Sequence, residues 1–300
     1  MGDAPFASSS PDRPDVVVVG DVMADVSVEA GALAVGGDVH GEVRIRPGGT
    51  ASNAAVWAAA DGARVRVHGR VGDDLMGRLI QEALEEQGVE AALAVDPAAR
   101  TGSMLVVHGP GERSMVADRG ANGGLSPGDV PGRLEAGAVL VSGYLLLHEG
   151  SNAGALAALD RAQAPFVAVD AASWPLIGAF GQAAFFEATR RANFLLLNEV
   201  ESATLTLAMG GQAFRKLRSH FEHFCLKRGA SGATLVLSGG RPISCAPPKI
   251  DEMDPTGAGD AFDGVLLGAL ARGVAAGEAL QRACAAGARA AAGPDPWPPR

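Results

Sequence analysis

The sequence predicts an α/β fold, a mostly parallel sheet covered by helices, and three observations carry that expectation. Short apolar runs such as Val16-Val17-Val18-Val19 recur without alternation, as strands buried on both faces do. From about residue 130 onward such runs alternate with helix-like segments, the pattern of a parallel sheet with crossover helices. Gly 41 with only 5% aromatic residues suits many tight strand-to-helix turns rather than an aromatic-rich sandwich.

The elements follow in order. Residues 16–19 read as a buried strand, residues 49–60 have helical composition, and residues 65–68 read as a second strand. A helix over 74–87 is stopped by Gly88, with Asp73 or Asp74 as its N-cap. Residues 103–107 and 114–117 flank Gly109-Pro110-Gly111 and read as a hairpin. Strands at 139–141, 166–169 and 194–197 alternate with helices such as 152–162 and 180–191. The segments near 24–46 and 101–119 break this rhythm and read as short strands projecting from the body as a lid. The expected organisation is a leader over 1–14, one domain over 15–293, and a tail over 294–300.

A net charge of −9 argues against nonspecific binding to nucleic acid or an anionic membrane, so any phosphate site must be local. Cys225, Cys245 and Cys284 are far apart and show no metal-ligand spacing, which points to a reducing, cytoplasmic setting. No uncharged apolar run reaches the ~18 residues of a membrane span, and residues 1–14 carry no signal-peptide core.

The segment Asp254-Pro255-Thr256-Gly257-Ala258-Gly259-Asp260-Ala261-Phe262 carries the most chemistry. Gly257 and Gly259 flank Ala258 where a helix should begin, before the helical stretch 263–272. Backbone N–H groups there can converge on an anion, and the helix end carries partial positive charge. Asp260 lies in the same turn, placed to take a proton from an attacking hydroxyl. Phosphoryl transfer needs that pair, a cradle for charge and a base on the nucleophile. The competing reading is a tight turn with Asp260 as a helix cap.

A second tract, Pro47-Gly48-Gly49-Thr50-Ala51-Ser52-Asn53, allows close backbone approach and offers the Asn53 amide to a polyol, or is a glycine-rich helix start with Asn53 solvated. Asn198 and Glu201, three apart after a strand, suit a Mg²⁺ carried by a nucleotide, or a helix cap. Lys227-Arg228-Gly229-Ala230-Ser231-Gly232 is a basic strand-to-strand turn, open to nucleotide or to no ligand. His220 and His223 read as surface residues rather than metal ligands. A P-loop, a nucleophile elbow and a zincin helix are all missing from the sequence.

Together these residues resemble the ribokinase-like (PfkB) family of carbohydrate kinases over nearly the whole chain. The signature regions are Gly48-Gly49 through Gly77 and Asp254 through Phe262, with Asn198-x-x-Glu201 between them. The resemblance implies a Rossmann-like body with a small β lid and ATP-dependent phosphorylation of a sugar-like hydroxyl. It implies Asp260 as base and the backbone of Gly257, Ala258, Gly259 and Asp260 as anion hole. Asp25, Gly48, Gly49 and Asn53 would meet the sugar; Lys227, Gly229 and Gly232 would line the nucleotide site. Asn198 and Glu201 would organise Mg²⁺, directly or through water. Asp254 and Thr256 match positions that hold a monovalent cation such as K⁺ in some members.

Members acting on fructose or 2-keto-3-deoxygluconate often carry Asp-x-Asn-x-Arg after a central strand. Asp170-Ala171-Ala172-Ser173-Trp174 lacks the Asn and the Arg, although Arg44, Arg46 or Arg119 could meet an acid. Arg119-Gly120-Ala121-Asn122 is similar to the Gly-Ala-Asn of ribokinase-type members and favours a neutral sugar. A nucleoside acceptor stays open through Trp57, Tyr144 and Trp174, as does a non-catalytic binding protein on a kinase fold. The exposed lid edge leaves a homodimer open.

Overall fold

In chain order the elements are strands β1 (Val16–Val19), β2 (Met23–Glu29) and β3 (Glu42–Gly48), helix α1 (Thr50–Ala60), β4 (Val65–Gly72), α2 (Leu75–Glu86), β5 (Val89–Asp96), β6 (Gly102–Gly109) and β7 (Glu112–Asp118). There follow β8 (Leu134–Glu135), β9 (Ala138–Ser142), α3 (Gly143–Leu146), α4 (Glu149–Arg161), β10 (Ala162–Gln163), β11 (Phe166–Asp170), α5 (Trp174–Phe180), α6 (Gln182–Ala188) and β12 (Phe194–Asn198). The chain ends through α7 (Glu199–Thr206), α8 (Gly210–Arg218), β13 (His223–Lys227), β14 (Ala233–Val236), β15 (Ile243–Cys245), α9 (Ala258–Ala271) and α10 (Ala276–Ala292). The computed structural model describes residues 13–30, 36–109, 112–293 and 295–298.

Nine strands form one sheet in the order β15-β14-β13-β12-β11-β9-β1-β4-β5. Every pairing from β5 to β13 is parallel, and β14 and β15 add antiparallel at the edge. Successive side chains point to opposite faces of a strand, so the valine run of β1 serves two cores. Val16 and Val18 pack under α1, α9 and α10, whereas Val17 and Val19 pack against the helices on the other face. This is why the strands read as unbroken apolar runs.

The interruptions in the strand–helix rhythm form a separate four-stranded sheet, ordered β3-β2-β6-β7. Its turn at 110–111 lies outside the described residues, as do the expected leader up to residue 12 and residues 31–35. Arg13 and Pro14 are not part of a free leader: the Arg13 guanidinium donates to Ala136 O, and Pro14 O accepts from Gly137.

Some local readings hold and others need correction. The helix expected over 180–191 is two helices, broken where Gly181 takes φ 91°. The helix expected to begin at the Gly257–Gly259 turn does so, at Ala258, with Gly257 in the left-handed conformation (φ 76°) as its N-cap. Of the two candidate caps, Asp74 accepts from Gly77 N, while Asp73 pairs with Arg78 on the surface. His223 is not a surface residue: it packs its ring against Phe166 and Phe194.

Helices α1 and α9 carry the two glycine-rich tracts and pack closely because Gly264 has no side chain. A Cβ there would stand 2.0 Å from Ala54 O, inside the backbone of the facing helix. Gly264→Ala is therefore expected to cost ~1–3 kcal/mol by overpacking. For a chain of this size that lowers Tm by roughly 2–4 °C per kcal/mol. Thermal unfolding of Gly264→Ala beside Gly123→Ala, whose Cβ meets nothing within 4 Å, separates crowding from any general glycine effect.

Candidate active site

The carboxyl ends of β1, β9, β11, β12 and β13 lie together and present Asp21, Ser142, Asp170, Asn198 and Lys227, the edge where open parallel sheets hold ligands. The lid closes over this edge. Along β2 the alternation Asp25-Val26-Ser27-Val28-Glu29 turns Asp25, Ser27 and Glu29 to one face. With Arg46 and Val106 of the neighbouring strands they line a cavity of about 290 Å³, completed by Met253, Asp254, Thr256 and Pro296. Gly48 is needed because a Cβ there would stand 2.1 Å from the Asp25 carboxylate. Burial, reinforced by the nearby Asp254 charge, pushes the Asp25 carboxyl up to about 7.

At the head of α9, the N–H of Ala258 donates back to Pro255 O at 3.2 Å. The N–H groups of Gly257, Gly259 and Asp260 have no acceptor among the described residues. The Asp260 carboxylate Oδ2 accepts from Asn53 Nδ2 at 2.9 Å, a side-chain bond that ties the first turns of α1 and α9 together. Burial pushes the Asp260 carboxyl up to about 7; the Asn53 bond and Lys227 pull down, while Asp170 and Asp25 push up. Asn53 is itself only 4% exposed and is not solvated.

Lys227 turns away from the hairpin it begins. Its ammonium bonds to Asp170 Oδ2 at 2.9 Å and Asp263 Oδ2 at 2.8 Å. A Cβ on Gly259 would lie 3.6 Å from Lys227 Nζ, which puts this cation beside the open N–H groups. Burial pushes the Asp263 carboxyl well above the usual carboxylate range. Burial acts the same way on Asp170, but the Lys227 ammonium and hydrogen bonds outweigh it and hold that carboxyl low. Lys227 stays charged: burial opposes it, and Asp170 and Asp263 more than compensate.

Asn198 and Glu201 form a reciprocal cap on α7. Glu201 N donates to Asn198 Oδ1 at 2.9 Å, and the Glu201 carboxylate accepts from Asn198 N at 2.8 Å and Nδ2 at 2.7 Å. Burial and then the Asp170 charge push the Glu201 carboxyl up to about 7. Asp254 accepts from both Thr256 N and Oγ1, holding that pair as a unit. Gly229 leaves open space at the β13–β14 turn, whereas Gly232 is dictated by packing, since a Cβ would strike Cys245 O.

The sequence profile described as pfkB family carbohydrate kinase matches residues 13–294. This chain belongs to the PfkB carbohydrate kinase family. The 2-dehydro-3-deoxygluconokinase of Thermoproteus tenax is 31% identical over 254 residues, covering 80% of this chain and 78% of that protein. The bifunctional protein HldE of Edwardsiella ictaluri is 32% identical over 294 residues, and there the match spans 58% of the longer protein. Among solved structures, a putative ribokinase II from E. coli in complex with ATP and Mg²⁺ superposes with a TM-score of 0.83 at 23% identity, covering 94% of each chain. The PfkB chain is thus a phosphotransferase acting on a sugar hydroxyl, on a ribokinase-like fold. No helix of the described residues is long and apolar enough to cross a membrane.

Several residues of the candidate site were not singled out from sequence. Ser27 and Glu29 share the cavity face with Asp25, and the polar–apolar alternation of residues 25–29 was the available signal. Asp263 follows Asp260 by three residues on one helix face. Trp57 is not available to stack on an acceptor: it is buried, with its indole N–H on Pro296 O and Arg289 over its ring. The expected free tail is also corrected. Asp295 pairs with Arg46, Pro296 lines the cavity, and Trp297 Nε1 donates to Asn53 Oδ1 at 3.0 Å.

Lys227→Met tests the buried ion cluster. Removing the cation leaves two adjacent buried carboxyl groups uncompensated, a loss of ~3 kcal/mol or more. Urea unfolding is expected to show that loss, growing as pH rises and both carboxyl groups are forced to ionise. A change below ~1 kcal/mol, the range of a surface pair, would contradict the cluster's importance.

Proposed function

We propose that this PfkB enzyme transfers the γ-phosphoryl group of Mg-ATP to a hydroxyl of a small neutral sugar, with Asp260 as the base. The observation that carries this reading is the head of α9. One turn holds three N–H groups without an internal acceptor and a carboxyl raised to about 7. A base with that value is ready to accept a proton near neutral pH, and the N–H groups are donors for a developing negative charge.

In this reading the acceptor occupies the cavity under the lid, with Asp25, Gly48, Gly49 and Asn53 around its hydroxyls. Asp260 takes the hydroxyl proton as the acceptor oxygen bonds to the phosphorus and the bond to the departing diphosphate breaks. The N–H groups of Gly257, Gly259 and Asp260 donate to the transferring oxygens; that of Ala258, directed at Pro255 O, has a smaller part than the sequence assigned it. Lys227 adds positive charge beside Gly259, and Gly229 and Gly232 shape the nucleotide-side turn.

Mg²⁺ with ATP supplies charge neutralisation at the phosphates. Both oxygens of Glu201 already accept bonds from Asn198, an arrangement that fits waters carried by the ion better than direct coordination. Asp254 with Thr256 is the corresponding proposal for a monovalent cation such as K⁺.

A neutral acceptor is favoured because the arginines open to an acidic sugar are already paired. Arg44 lies between Glu29 and Glu42, Arg46 pairs with Asp295, and Arg119 bonds Asp21 at 2.6 Å. The cavity also carries Asp25, Glu29 and Asp254, so a carboxylate entering it meets like charge. A homodimer through the lid is part of the same reading. Ile45, Val26, Leu105 and Val116 line up across its four strands on the face away from the cavity, with Ile45 and Val116 more than half exposed.

ADP release from Mg-ATP over a panel of neutral sugars, nucleosides and sugar acids tests the assignment. The expected result is a kcat/KM for at least one neutral sugar ~100-fold or more above that for 2-keto-3-deoxygluconate, the discrimination that an unpaired charge in a closed site imposes. Preference for the sugar acid would overturn the neutral-acceptor reading.

A further inference from the structure

Three contacts bring the C-terminal segment onto the site. The Asp295 carboxylate pairs with Arg46 of the lid, Trp57 Nε1 donates to Pro296 O at 2.7 Å, and Trp297 Nε1 donates to Asn53 Oδ1 at 3.0 Å. Pro296 lines the acceptor cavity, and its Cβ lies against Gly257, where an added Cβ would approach it to 2.9 Å. Trp297 itself packs on the core beneath α1 and α9. The lid, the first turn of α1 and the start of α9 are therefore linked through three consecutive residues that precede the chain end.

The contact at Asn53 has a chemical consequence. An amide side chain is an acceptor at one end and a donor at the other, whereas an indole N–H can only donate. With Trp297 facing it, the Oδ1 end must point toward the indole, and the NH₂ end is then directed at Asp260 Oδ2, 2.9 Å away. We infer that Trp297 is a positioning residue for the base: by donating to Asn53 it fixes the amide with its donors on Asp260, and it makes the C-terminal segment part of the acceptor site.

An amide locked in this way favours the ionised base. Neutral Asp260 could otherwise be stabilised by donating its proton to a turned-over Asn53 Oδ1. The indole N–H already holds that oxygen, so the alternative is closed. Asp260 Oδ2 is occupied by the amide, which leaves Oδ1 to meet the acceptor hydroxyl. The other groups that face Asp260 are Asp170 of β11, Lys227 of β13 and Asp25 of the lid, with Tyr144 of α3 near and Asp263 one turn further along α9. Trp297 Nε1 bonds to Asn53 and to none of these groups, so deleting that one donor reaches the base through the amide.

This inference rests on Asp260 as base, and the test separates the two. Trp297→Phe keeps the ring and deletes only the donor. Two quantities are measured: the acidic limb of kcat/KM for the sugar, and the titration of the Asp260 carboxyl by ¹³C NMR, assigned by its absence in Asp260→Asn. Burial pushes the wild-type Asp260 carboxyl up to about 7; in Trp297→Phe both the NMR value and the kinetic limb are expected to lie about 0.5–1 pH unit above the wild-type values, the size of one lost hydrogen bond. At pH 6 kcat/KM then falls about 3–10-fold, with the loss shrinking at high pH. Trp297→Leu, which also lacks the donor and leaves Pro296 in place, is expected to shift the limb the same way, which guards against a poorly folded Phe variant. An unmoved titration in a folded variant overturns the positioning role, since packing alone predicts a lower Tm with the pH profile unchanged. A lower sugar KM with higher turnover also overturns it, because the segment would then be a plug. Turnover retained in Asp260→Asn would remove the base itself, and the NMR arm reads the Trp297 contact regardless.

Discussion

A single bond between side chains 207 residues apart, Asn53 Nδ2 to Asp260 Oδ2, joins the two glycine-rich tracts of this kinase. Everything around the site serves to bring those two groups together. The β1 strand delivers the chain to the lid and α1, and Gly264 lets α9 lie against the backbone of α1. The left-handed Gly257 starts α9 early enough for Asp260 to fall in its first turn. That turn carries both the open N–H groups and the carboxyl, so the proposed anion cradle and the proposed proton acceptor come from one local conformation. Burying that carboxyl beside Asp170 and Asp25 is electrostatically costly in isolation. Asn53 and Lys227 offset that cost by donating toward the carboxyl and holding a buried positive charge beside it.

Charge balance explains why an acidic chain can handle an anionic donor. The net charge of −9 is not spread evenly over function. At the acceptor side, carboxylates dominate and each nearby arginine is engaged. At the transfer side, Lys227 and the helix head provide localised positive potential. In the proposed reading, the cavity takes the hydroxyls and the head of α9 takes the phosphate, with Pro296 lying against both. Such a division would direct acceptor and donor to different ends of the site without any long-range field.

Much of the fold was legible because parallel strands buried on both faces leave continuous apolar runs, as in residues 16–19 and 194–197. A boundary failed where one glycine conformation decided it: Gly181 splits a helix that composition alone joins. The site was legible where chemistry is concentrated in a short segment, as in residues 254–262. It was not legible where partners are remote. Nothing in the local pattern around Trp297 signals Asn53, 244 residues away, and the proline-rich surroundings read as a tail. Lys227 was placed by its turn toward the nucleotide, yet its side chain points inward because two carboxylates from other elements attract it. Asp263 escaped notice because a single carboxylate on an apolar helix face has no periodicity of its own.

The account stands on Asp260 as proton acceptor, and Asp260→Asn tests that most directly, because it keeps shape and hydrogen bonding while removing the basic oxygen. Turnover and ATP affinity are measured on the same folded preparation. The expected result is a fall in kcat of ~10²–10⁴-fold, the usual range for loss of a general base, with ATP affinity retained. Near-normal turnover in the folded variant would contradict it.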